Sequence, residues 1–382
     1  MTAEPTTAES AAEGSAAKGS AAKGSAAKGS TAARSTTVEF GHRAWVVRRS
    51  RLALRWQART VIVCVALAVL TLAATTAALA LGDYPLTLPE VWAALTGDPG
   101  AGFSSIVVLE WRLPRAVAAA VFGAGLGAAG AVFQSLTRNA LASPDIIGIS
   151  TGSYSGALIV IVLVQGTYLQ LTAGALAGGA ATAAIIYLLA WRGGVQGFRL
   201  IIVGIAVSAM LTSFNTWLML TAKLEVALAA SAWGAGSLGR IGWQEMLVGG
   251  GTVLVLLVVL AAFGRPMRQL ELGDDAAHAT GTRAEPVRLA VIAIAVALTA
   301  VVSSAAGPIA FIALAAPQIA RRLCRTPGIS VVPAALTGAV LLAGAELAAL
   351  HLLPVALPVG VVTVVLGGGY LLWLIVHEVR RR

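Results

Sequence analysis

Few residues in this chain have the type and spacing that bond-making chemistry needs. Cys64 lies in an apolar run and Cys324 at a basic loop, and two scattered cysteines make neither a metal motif nor a disulfide framework. The sequence has no Gly-Lys dipeptide, which excludes the phosphate-cradling pattern G-x-x-x-x-G-K-[ST]. It has no H-E-x-x-H, and its four histidines do not assemble a triad. The expectation is a chain with no catalytic residues, no metal site and no cofactor. If ATP drives it, another chain must bind the ATP.

The polar residues that do stand out are set among apolar ones. Glu346 sits inside an apolar run, with His351 about one turn beyond it. A buried acid in a membrane is costly and is a functional candidate by default. The competing reading is a helix-end pair that reaches the outer interface. Asn215, in another run, suits an interhelical hydrogen bond. Arg112 and Arg115 are three apart around Pro114, at the head of a further run. Pro114 fits a first helical turn, and an i, i+3 pair projects from one side of it. Cations there oppose the macrodipole, so an external anion is needed, either a lipid phosphate or a partner's carboxylate.

One loop combines signals. Between Arg265 and Arg288, Gly273-Asp274-Asp275 reads as a turn that leads two acids into a first helical turn. Ala276 and Ala277 are small and suit a helix, which Gly281 would end. A short capped helix of this kind fits a partner's groove.

The elements that must hold these residues are membrane spans. The 382 residues are 58% hydrophobic and only 12% charged, about half the charged share of a soluble domain. Apolar runs lie at 61–81, 113–135, 145–164, 168–190, 200–221, 244–263, 289–305, 308–320, 331–352 and 357–377. That predicts an all-α polytopic membrane protein of about ten transmembrane helices. The run at 308–320 is short and opens on Gly307-Pro308, which predicts a broken or protein-buried helix. The net charge of +10 lies in the tail and in short loops, so it signals topology rather than nucleic-acid binding. With both termini cytoplasmic, the inside loops hold Arg138, Arg192, Arg199, Arg265, Arg268, Arg283, Arg288, Arg321, Arg322, Arg325 and Arg380–Arg382. The outside loops hold only Arg112, Arg115, Lys223 and Arg240.

Residues 1–57 read as a disordered low-complexity tail, because a Gly-Ser-Ala-Ala-Lys repeat has little to bury. Residues 58–382 read as one transmembrane domain, with the inside loop at 265–288. Gly123 and Gly127, Gly174, Gly178 and Gly179, and Gly367–Gly369 predict close helix packing or a moving path.

Longer segments resemble a known family. Asp275-Ala276-Ala277 with Gly281 is similar to the coupling motif of bacterial ABC importer permeases. Arg112-Leu113-Pro114-Arg115 looks like the signature of the iron–siderophore and cobalamin permeases. So do Gly130-Ala131-Val132-Phe133-Gln134 through Asn139, Gly307-Pro308-Ile309-Ala310-Phe311 and Leu357-Pro358-Val359-Gly360. Glu110-Trp111, Phe198-Arg199-Leu200 and Phe214-Asn215-Thr216-Trp217 bring it nearest to ferric enterobactin permease subunits. It departs from the family at Asn139-Ala140 and at Pro317-Gln318, where Asn-Pro and Pro-His are usual.

The resemblance implies a siderophore-permease-like bundle in a bacterial cytoplasmic membrane. It implies a second permease subunit, two ATP-binding subunits and an extracytoplasmic substrate-binding protein. Gly273, Asp274, Asp275, Ala276, Ala277 and Gly281 would couple to the ATPase. Arg112 and Arg115 would receive the binding protein, or else anchor to lipid. Gln134, Asn139 and Asn215 are the candidate path residues. The alternative is an ion-driven secondary transporter, which would need midplane carboxylates.

Overall fold

A computed structural model describes residues 44–49, 52–191, 197–352 and 355–379. Inside the stretch expected to be disordered, β1 (Ala44–Arg49) and β2 (Leu52–Gln57) pair as an antiparallel hairpin, Ala44 opposite Gln57 and Arg49 opposite Leu52. The low-complexity repeat did not announce this. The signal lay after it, in the β-formers of 44–56 such as Trp45, Val46, Val47 and Trp56. Residues 1–43, Arg192 and Arg380–Arg382 lie outside the described residues.

The rest is helical. In chain order come α1 (Ala58–Ala80), α2 (Leu88–Thr96), α3 (Phe103–Thr137), α4 (Ile149–Val164) and α5 (Tyr168–Ala190). Then follow α6 (Gly197–Thr221), α7 (Leu224–Gly234), α8 (Trp243–Ala262), α9 (Gly264–Glu271) and α10 (Asp274–Ala279). The last four are α11 (Ala284–Ala306), α12 (Ile312–Cys324), α13 (Val331–His351) and α14 (Val359–Val379). Seven are long and apolar enough to cross a membrane: α1, α3, α5, α6, α8, α11 and α13. Of the ten runs, α4, α12 and α14 supply the other three. Two short helices, α2 and α7, were not anticipated.

α3 is the centre of the bundle, with 78% of its most apolar stretch buried. In α1 the share is 6% and in α6 11%, so these two present apolar side chains outward. Lipid gives helices no hydrophobic reason to meet, and small residues supply contact instead. A Cβ on Gly123 or Gly127 of α3 would strike the carbonyls of Gly338 and Ala334 in α13. Gly152 and Gly156 of α4 meet Gly178 and Gly174 of α5 in the same way. The glycines of α3 and α5 are therefore packing surfaces. Gly367 abuts the Phe311 side chain, whereas Gly368 and Gly369 touch nothing nearby.

The segment at 307–311 breaks the helical path. Gly307 and Phe311 both take positive φ, 76° and 67°. The Phe311 N–H, which heads α12, donates to Asp145 Oδ2 at 3.1 Å. Placing a carboxylate at that helix N-terminus matches its dipole and ties the α3–α4 loop to the broken helix.

Candidate functional site

Polar and charged residues gather at three places in this bundle. The first is the 264–288 segment. The expected loop contains an extra helix, α9, before Leu272. Gly273 (φ 118°) then turns the chain into α10, and Gly281 (φ 82°) turns it out again. L-residues rarely adopt such φ values. Ala277 is fully buried, in a small cluster with Leu270 and Ala284 that Leu136 and Val287 complete. The two acids divide. Asp274 Oδ1 accepts from Arg288 Nη2 at 2.7 Å, and Arg288 Nη1 also donates to Glu285 at 2.9 Å. Asp275 is exposed and has no partner among the described residues. α10 is thus seated by one alanine, locked by one acid, and offers the other acid outward. The C-terminal end of α3 reaches the same segment: Ser135 Oγ donates to Glu271 at 2.7 Å and Arg138 Nη2 to the Leu270 carbonyl at 3.3 Å.

The second place is the opposite end of α3. Arg112 donates to the Leu79 carbonyl at 2.8 Å, the Ala80 carbonyl at 3.4 Å and the Tyr84 carbonyl at 2.7 Å. It caps the C-terminal carbonyls of α1, where a cation is favoured. Arg115 Nε donates to Glu346, whose side chain is 3% exposed. Arg115 finds its anion inside the chain, whereas Arg112 is held by neutral carbonyl oxygens. Glu346 is consequently not a surface-reaching helix-end acid. It is a buried anion matched by a cation from α3, while His351 is exposed and Nδ1 faces its own Leu347 carbonyl.

The third place is polar and interior. Gln134 is buried, donates to the Leu314 carbonyl at 3.0 Å and accepts from Gln318 at 2.5 Å. With Asn139, Arg138 and Arg321 it lines a cavity of about 310 Å³. Asn139 Oδ1 accepts from the Leu141 N–H at 2.9 Å. That Asx turn shapes the position after which the expected proline is missing. Asn215 is elsewhere. It lines a separate cavity of about 470 Å³ with Asp145, Ser150, Thr151 and Thr212. Its buried Oδ1 has no partner among the described residues, so the expected interhelical bond through that oxygen is not formed.

A profile of the FecCD transport family matches residues 70–377. The chain belongs to the FecCD transport family. This FecCD-family chain is 48% identical to the ferric enterobactin transport system permease protein FepG of Escherichia coli, over 79% of this chain and 91% of that protein. It is 35% identical to the achromobactin transport system permease protein CbrC of Dickeya dadantii, over 81% of this chain and 89% of that protein. Its fold is similar to that of a solved metal-chelate type ABC transporter in an inward-facing conformation. The TM-score is 0.74 at 25% identity, covering 83% of this chain and 99% of that one.

For a FecCD permease, sequence reasoning missed Gln318 and Asp145 as structural partners. Gln318 was visible only as a departure from Pro-His, and it lies 184 residues from Gln134. Asp145 lies 166 residues from the N–H that it accepts. Neither distance has a local signature.

Proposed function

We propose that this permease carries ferric siderophore of the enterobactin class across a bacterial cytoplasmic membrane, with ATP hydrolysed by partner subunits. The observation that carries the coupling is α10: a short helix seated by Ala277, locked through Asp274 and Arg288, with Asp275 facing out. The 48% identity to a ferric enterobactin permease supports the cargo. Gly273, Asp274, Asp275, Ala276, Ala277 and Gly281 form the ATPase-facing element. The basic inside loops support cytoplasmic termini.

The end of the bundle that holds Arg112 and Arg115 receives the substrate-binding protein. Arg115 keeps both terminal nitrogens without a partner among the described residues and is 26% exposed in its side chain. It is therefore the better of the two for a partner carboxylate, while Arg112 shapes the surface by holding α1 to α3. A second permease, the same chain or a related one, completes the path. The cavities at Gln134 and Asn139, and at Asn215, supply its polar lining.

The test is uptake of iron-labelled ferric enterobactin in cells that lack their own permease, with the neighbouring partner genes supplied. Vanadate-sensitive uptake that vanishes on deleting the ATPase supports the reading. Uptake that persists without the ATPase and collapses with the ion gradient replaces it with a secondary transporter.

A further inference from the structure

At the end of the bundle that holds α9 and α10, a groove of about 580 Å³ opens between α1, α9 and the α12–α13 loop. It shares Glu271 with the α3–α9 contact and with the Gln134 cavity described above, and opens on the other side of that residue toward α1. One wall is apolar and belongs to the outward face of the bundle: Val61 and Val65 of α1, and Val332 and Pro333 of α13. Val65 and Val332 are 58% and 61% exposed, and α1 as a whole is the least buried span. The other wall is polar, with Gln57, Thr60, Thr326, Ser330 and Arg268.

The charges at this groove are uneven. Arg268 is exposed and has no ion-pair partner among the described residues. Arg59 precedes the lining residue Thr60 without lining the groove itself; it uses Nε on the Leu323 carbonyl at 2.8 Å, which leaves its terminal nitrogens free among the described residues. Glu271 is the one acid in the lining, and it is already bound by Ser135 at 2.7 Å. An occupant must therefore place an anion beside Arg268, with Arg59 one residue from the lining, and a hydrocarbon chain against outward-facing valines.

We infer that this groove holds an anionic phospholipid of the leaflet at the α9–α10 end, its phosphate between Arg59 and Arg268 and one acyl chain along Val61, Val65 and Val332. A basic pocket between spans at the membrane surface is suited to such a headgroup. The apolar wall distinguishes it from a site for a free anion, which would gain nothing from valines.

The test uses the full-length permease in nanodiscs of phosphatidylcholine with a minor share of phosphatidylglycerol, and native mass spectrometry of the lipid that remains bound. The expected result is retention of phosphatidylglycerol above its share in the disc. Arg268→Gln and Arg59→Gln should each lower that enrichment about fivefold, the factor equivalent to one surface arginine. Val65→Trp should lower it by filling the apolar wall, with the arginines intact. Arg265→Gln is the control, because Arg265 is exposed on the same helix as Arg268 but neither lines the groove nor adjoins a lining residue in the chain. Equal loss in Arg265→Gln would overturn the inference in favour of general surface charge. No enrichment in the wild type would overturn it outright, and so would displacement by inorganic phosphate alone. Chymotryptic fragments of residues 1–43 remaining bound in place of lipid would give the groove to the tail.

Discussion

Arg115 and Glu346 bring a charge pair into a bundle that otherwise contains almost none. Glu346 is 2% exposed, so removing its cation leaves an uncompensated buried anion. Breaking a buried pair costs about 3–5 kcal/mol. The partial exposure of Arg115 puts this one at or below the lower end of that range. Arg115→Ala is expected to destabilise more than Glu346→Gln, because the latter leaves a half-solvated cation. Replacing both by leucine should restore most of the loss. Thermal unfolding of the purified permease in one detergent measures all three. Gln134 offers a neutral counterpart. Gln134→Leu orphans the Gln318 amide and the Leu314 carbonyl, each worth about 1–3 kcal/mol when buried, and double substitution with Gln318→Leu should be milder. These partners were not legible in the sequence. The spacing of Arg112 and Arg115 pointed to an anion, but it could not say that Glu346 would serve Arg115 or that neutral α1 carbonyls would hold Arg112.

At the scale of elements, α10 was legible nearly residue by residue, because turn, acids, small face and stop all lie within nine positions of one another. The sequence could not show that its two adjacent acids have different duties. Asp275→Lys is expected to leave the permease inserted and thermally stable, while ATPase stimulation and uptake fall to background. Asp274→Asn should instead cost stability, since it loosens Arg288, and should reduce uptake only partly. Comparing melting temperature with partner ATPase activity separates the two. Gly281→Ala tests the turn: a Cβ at φ 82° costs about 1–2 kcal/mol, although nothing crowds that position. The spans themselves were legible from apolar length. The helices α2 and α7 were not, because at nine and eleven residues they are too short to show as membrane runs.

For the whole molecule, the N-terminal tail is the part most easily removed. Deleting residues 1–40 should leave uptake near wild type, since a Gly/Ser/Ala/Lys repeat has no core to lose; a fully inserted truncation without uptake would give the repeat a role. The long central helix is the opposite case. At 35 residues it is about 50 Å long, against a hydrocarbon core of about 30 Å. Its N-terminal half is fastened to α1 by Arg112, and its C-terminal end to α9 by Ser135 and Arg138. Such a rod behaves as a strut. A push on one side of the bilayer arrives at the other as a tilt of a stiff beam, within the time the beam takes to move, rather than through a relay of side-chain rearrangements. Its bearings against α13 are the bare backbones at Gly123 and Gly127, and the Arg115–Glu346 pair pins the same two helices together, so the beam and α13 tilt as one piece.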